Sequence, residues 1–132
     1  MTFTYLVDTD WAIHHLNGHA LIMQRLQDLQ PEGLGLSVLS LAEVYEGVYY
    51  SRNPAESERG LLAFLESVSL IGIDEETAKI FARERGRLRA AGMLIGDVDL
   101  FIAATALQHE VTLLTNNRRH FERIDGLRIE SL

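Results

Sequence analysis

The chain has 132 residues, 47% apolar and 23% charged, a composition that fits one globular domain and not a disordered protein. It has no cysteine, which excludes a disulfide framework, thiol catalysis and a Cys-type zinc site and suits a reducing cytoplasm. The net charge of −7 runs against broad phosphate binding, but it is uneven: residues 1–80 carry 12 acidic and 4 basic side chains, residues 81–132 carry 7 and 8.

The opening, MTFTYLVDTD, has no basic n-region and meets an acid at Asp8, so it does not read as a signal peptide, and no apolar run approaches the ~18 residues of a spanning helix. The expectation is a soluble cytoplasmic protein without membrane contact, one domain over residues 1–132. FTYLVD, Phe3 to Asp8, reads as a buried strand ending in an acid. Residues 10–29 read as one or two helices broken at Asn17-Gly18, and Pro31-Glu32-Gly33 as a turn. LGLSV, Leu34 to Val38, is a second buried strand, after which Ser40 opens a helix with Leu41, Val44, Tyr45 and Val48 at helical spacing. Asn53-Pro54 breaks the chain before a helix over 55–66. Residues 69–73 form a third strand, and Asp74 and Thr77 cap a long helix running to about Ala91. GDVDLFIAATALQHE is helical, VTLLT (Val111 to Thr115) is a fourth strand, and Leu127 to Ile129 a fifth.

Strands alternating with helices imply an α/β domain with a mostly parallel, buried sheet. Right-handed crossovers place each strand's C-terminal end and the start of the next helix on one edge, where such folds bind ligands. That edge collects Asp8 after the first strand, Glu43 in the helix after the second, Asp97 and Asp99 at the start of the helix before the fourth, and Thr115-Asn116-Asn117 after the fourth. Carboxylates brought together repel unless a cation joins them, and a hard divalent ion, Mg²⁺ or Mn²⁺, suits an all-oxygen site that leaves room for waters and a phosphate. Each acid also has a structural explanation. Asp8 could make a local turn bond, Glu43 could close a capping box with Ser40, and Asp97 could cap its helix. With Asp97 as the cap, Asp99 is left over. It shares a helical face with Ala103 and Ala106, small residues that allow close packing on the sheet, and so it is the better ligand candidate.

Four stretches in order, LVDTD, SVLSLAEVYEG, GDVDLFIAATA and LLTNNRRHFERIDGL, resemble the PIN-domain ribonucleases, and more narrowly the VapC-type toxins of bacterial toxin–antitoxin pairs. The resemblance covers nearly the whole chain. It implies a three-layer α/β/α sandwich with sheet order 3-2-1-4-5 and cleavage of RNA phosphodiesters to 5′-phosphate and 3′-hydroxyl ends with Mg²⁺ or Mn²⁺. Carried over by position, Asp8 and Asp99 match the principal metal ligands, Glu43 the third acid and Thr115 the hydroxyl that orders the site. Many similar chains carry a fourth acid where this one has Asn117, an amide able to orient a water or phosphate oxygen without adding charge. Asn116 and Asp97 are expected to support the site. Glu46 and His120 are expected at the surface, the latter not needed for catalysis. The resemblance also implies a cognate antitoxin held by a groove among the early helices, a homodimer, and transfer or ribosomal RNA as substrate.

Other readings fit less well. The DTDW stretch is superficially like the opening of a haloacid-dehalogenase-like phosphatase, but Ala12 stands where Thr or Val is expected and the only lysine, Lys79, lies inside a helix. A receiver domain would need a lysine after its last strand. A catalytically silent PIN-like module binding RNA or protein would keep the acids as caps. His15 and His19, at i, i+4 spacing, are separated by the Asn17-Gly18 break and are read as surface residues. The arginines at 83, 85, 87 and 89 read as a solvated face or as phosphate contacts.

Overall fold

The computed structural model describes residues 2–132. In chain order the elements are β1 (Tyr5–Val7), α1 (Thr9–Leu16), α2 (Ala20–Leu29), a 3-10 turn (Gln30–Glu32), β2 (Leu34–Ser37), α3 (Val38–Tyr49), α4 (Pro54–Leu65), β3 (Ser69–Ile71), α5 (Glu75–Ala90), α6 (Asp97–His109), β4 (Thr112–Leu114), α7 (Arg118–Phe121) and β5 (Ile129–Glu130). The five strands form one parallel sheet in the order β3-β2-β1-β4-β5. The fold class and strand order expected from the sequence are therefore those observed.

Alternation along the short strands sends neighbouring side chains to opposite faces and builds two cores. On one face Val7, Leu36 and Leu114 pack with Trp11 and Ala12 of α1, Ile22 and Leu26 of α2, Val44 of α3 and Phe64 of α4. On the other, Leu6 and Leu113 pack with Leu88 of α5, Leu100 and Ala103 of α6 and Phe121 of α7. The result is three layers. No helix among the described residues is long and apolar enough to cross a membrane.

Register decides what reaches the working edge. Thr4 and Tyr5 donate their amides to the Gly33 carbonyl at 2.9 and 3.2 Å, setting β1 against β2. Gly33 has φ +95°, and a Cβ there would lie 2.8 Å from the Phe3 backbone, so only glycine makes this turn. Val7 then stands opposite both Leu36 and Leu114, which puts the following residues, Asp8, Ser37 and Thr115, side by side at the carboxyl ends of the three central strands.

Two helix starts differ from the sequence-based expectation. The helix after β2 begins at Val38, not Ser40, because Ser37 in extended conformation accepts the Leu39 amide at 3.1 Å and turns the chain early. Ser40 is therefore buried inside α3, Glu43 lies in its second turn, and the Ser40–Glu43 capping box does not form. Likewise Gly96, with ψ 151°, is the residue before α6, and Asp97 is its first helical residue and not the cap. The expected box at Asp74 and Thr77 does form: Asp74 Oδ1 accepts the Thr77 amide at 3.0 Å while Thr77 Oγ1 accepts the Asp74 amide at 3.2 Å. The last strand falls at Ile129–Glu130 rather than at 127–129, and the short helix α7 precedes it.

Candidate active site

The site begins at Asp8, which ends β1 and precedes α1 in an extended conformation without capping it through its side chain. Only 4% exposed, its carboxylate is pushed up to about 7 by burial, with the negative charges of Asp10 and Asp99 acting in the same direction. A hydrogen bond from Thr115 Oγ1 to Asp8 Oδ2, 2.7 Å, opposes that rise. The Thr115 oxygen in turn accepts the Asn117 amide at 3.0 Å, so the hydroxyl is oriented from behind.

Asp10, which the sequence reading did not single out, joins the same edge. Its Oδ2 accepts the Asn116 amide at 2.9 Å and its Oδ1 the Trp11 amide at 2.8 Å. The DTD spacing after a buried strand was the signal available: both acids leave β1 at its carboxyl end, one ahead of α1 and one in its first turn.

Asp99 enters from α6, with Ala103 and Ala106 buried against the sheet below it. Its Oδ2 lies 3.4 Å from Asn117 Nδ2 and 3.0 Å from His120 Nδ1. His120 is at the surface, its side chain 41% exposed, and yet in contact with the site: α7, anchored by the fully buried Phe121, carries it to Asp99. Glu43 comes from α3. Thr9 Oγ1 donates to its Oε1 at 2.6 Å and lies 3.0 Å from Ser40 Oγ, which ties Glu43 to the residue next to Asp8.

Two other candidates point elsewhere. Asp97 is exposed and pairs with Arg85 of α5 at 3.2 Å. The Asn116 side chain accepts from Trp11 Nε1 and from the Leu132 amide, each at 3.0 Å, so its contribution to the acids is its backbone amide alone. Glu46 is exposed.

The donor set suits a hard cation: carboxylate oxygens, one of them buried at a cost that a nearby positive charge would remove. No three His, Asp or Glu side chains among the described residues stand close enough together to cage an ion. Such an ion would therefore be held by few protein oxygens and completed by water, as Mg²⁺ prefers.

The chain runs outward from β1 in two directions, through β2 to β3 and through β4 to β5, so the acids lie at the switch in strand order. Fold and site together define a doubly wound α/β protein with a group of acids at that switch. The chain belongs to the PIN-domain family, whose profile matches residues 5–127. It is 34% identical over 126 residues to ribonuclease VapC1 of Methanocaldococcus jannaschii, covering 94% of this chain and 85% of that one. It is 29% identical over 129 residues, 96% of both chains, to ribonuclease VapC2 of Rickettsia felis. Among solved structures, VapBC2 from Rickettsia felis bound to a DNA fragment from its promoter superposes with a TM-score of 0.92 at 28% identity, over 98% of this chain and 99% of that one.

Proposed function

We propose that this chain is a metal-dependent endoribonuclease, the toxin of a toxin–antitoxin pair. It hydrolyses phosphodiester bonds in structured RNA, tRNA or rRNA, to 5′-phosphate and 3′-hydroxyl ends. The observation that carries this reading is the buried Asp8 carboxylate, pushed up by burial and by the negative charges of Asp10 and Asp99, in a chain similar over nearly its whole length to proteins named as ribonucleases.

In this reading Asp8 and Asp99 would hold Mg²⁺ or Mn²⁺, which would supply polarisation of a phosphoryl oxygen and a lowered pKa for a water. Thr115 keeps Asp8 oriented. Glu43, steadied by Thr9, binds the ion through water or positions the attacking water in line with the scissile bond. The Asn117 amide orients a water or a phosphate oxygen, and Asn116 fixes Asp10 through its backbone. Asp97, held by Arg85, supports the start of α6. The whole chain, 1–132, acts as one domain.

The partner is a cognate antitoxin, as the VapBC name of the superposing structure suggests, with the toxin as a homodimer within the complex. A groove of about 860 Å³ between α1, α3 and α4, walled by Ile13, Leu16, Val44 and Val48 with Arg52 and Arg59 on its lining, is the place for an antitoxin segment. The excess acid of residues 1–80 is not concentrated in that groove, whose charged lining is two arginines and Glu56. An apolar segment with an acidic flank fits it, while a basic antitoxin side chain would go to the acid pocket.

The test is cleavage of total cellular RNA by the purified, antitoxin-free protein, wild type beside Asp99→Asn, each with Mg²⁺, Mn²⁺ or EDTA. Discrete fragments that need metal and vanish in the variant support the reading, and their ends identify the target. Equal behaviour of wild type and variant in either metal makes the chain a binding module instead.

A further inference from the structure

His120 is held against Asp99 by more than proximity. The carboxylate oxygen can only accept, so the Nδ1 nitrogen 3.0 Å away carries the hydrogen, and in the neutral ring Nε2 keeps its lone pair. Asn117 Nδ2 is likewise only a donor, so its 3.2 Å approach to His120 Nδ1 is a packing contact between two donors, both aimed at Asp99 Oδ2. Among the described residues Oδ1 of Asp99 accepts no hydrogen bond. One oxygen of this carboxylate is therefore held by two N–H groups and the other is left free.

The backbone that carries the imidazole is anchored by its neighbour. Phe121, the next residue, is fully buried in the core that contains Leu6, Leu100 and Ala103. On the far side of the short helix, Arg118 bonds Glu122 at 2.9 Å and Ser131 at 3.1 Å. These contacts hold α7 against the fold, and α6 and α7 pack on the same face of the sheet.

We propose that His120 is a positioning residue for the metal ligand Asp99. By donating from Nδ1 to Oδ2, with Asn117 beside it, His120 sets the carboxylate plane so that Oδ1 is presented to the ion. The inference rests on the metal-dependent reading above and adds to it a residue that touches neither ion nor RNA. Where an ion is held by few protein oxygens, the orientation of each one weighs heavily, and loss of an outer partner typically lowers metal affinity roughly 10- to 100-fold.

The test is Mn²⁺ binding to the full-length protein, free of antitoxin and RNA, by titration calorimetry and by the loss of the free-ion EPR signal, at one fixed pH above the titration of Asp8. Wild type, His120→Ala, His120→Asn and Asp99→Asn are compared after circular dichroism shows each to be folded. His120→Ala is expected to bind Mn²⁺ at least ~10-fold more weakly. His120→Asn, whose amide nitrogen can occupy the place of Nδ1, is expected to return to within about threefold of wild type. RNA cleavage by His120→Ala should recover as Mn²⁺ is raised to saturation, which a general loss of structure would not allow. Unchanged Mn²⁺ affinity in His120→Ala overturns the inference, as does a His120→Asn variant no better than alanine, or a nitrogen coupling to bound Mn²⁺ in the spin-echo spectrum that would make His120 a ligand. Should wild type bind no more Mn²⁺ than Asp99→Asn, the metal-dependent reading fails and takes this inference with it. Wild-type binding with an indifferent His120→Ala removes the inference alone.

Discussion

Thr115 gives its hydroxyl hydrogen to Asp8 across 2.7 Å, joining residues that lie 107 apart in the chain but directly beside each other at the ends of β4 and β1. This bond works against burial, holding down a carboxylate that its surroundings push up. Thr115→Val keeps the volume and removes the donor. The expected cost is about 1–3 kcal/mol in urea-induced unfolding, since Asp8 is left buried and short of a partner. The same substitution lets the Asp8 carboxylate rise further, so Mn²⁺ binding should need a higher pH than in wild type.

The metal-free protein should grow less stable as the pH rises. In the unfolded chain Asp8 titrates near 3.8, in the fold at about 7. Between those values the folded state keeps a proton that the unfolded state has lost, so unfolding is favoured by each step upward in pH, by at most roughly 4 kcal/mol across the window. Thermal melts in EDTA from pH 4 to 8 should show this decline, and Asp8→Asn should flatten it. Adding Mn²⁺ above pH 7 should restore the wild type and not the variant if, as proposed, the ion binds the folded carboxylates alone.

Asp97 and Asp99 separate cleanly in an activity assay. Asp97 is exposed and paired with a half-exposed arginine, an interaction worth under ~1 kcal/mol. Asp97→Asn should cleave RNA within about twofold of wild type and unfold at nearly the same urea concentration. Asp99→Asn should lose at least ~100-fold in cleavage while remaining folded, as removal of a charge-stabilising group in a catalytic site does.

Remote from the acids, Asp74→Ala removes one half of the capping box at the start of α5 and a partner of Gln108 in α6. Unfolding should become easier by about 1 kcal/mol, with RNA cleavage unaffected below the melting temperature.

Much of this was readable in the sequence. The parallel α/β class, the acidic edge and the place of Asp99 above Ala103 and Ala106 follow from alternation, crossover handedness and helical spacing, which are local rules applied along the chain, whereas the strand order is implied only by the resemblance to the PIN-domain ribonucleases. What escaped depended on where helices start and on contacts made across the fold. Ser40 and Glu43 have the spacing of a capping box, yet Ser37 captures the Leu39 amide first and the pattern is spent inside the helix. Asp97 looks like a cap until Gly96 takes the extended conformation one residue earlier. Asp10 acquires its role from the amide of Asn116, and His120 from a four-residue helix anchored by one phenylalanine. Neither contact has a sequence period to announce it.

The central position of β1 has a consequence for folding. The strand that flanks Asp8 on one side ends at Thr115, which lies 107 residues away along the chain. Contacts of such long sequence separation are slow to close. In refolding, helix content should therefore return before Asp8 and Thr115 come together.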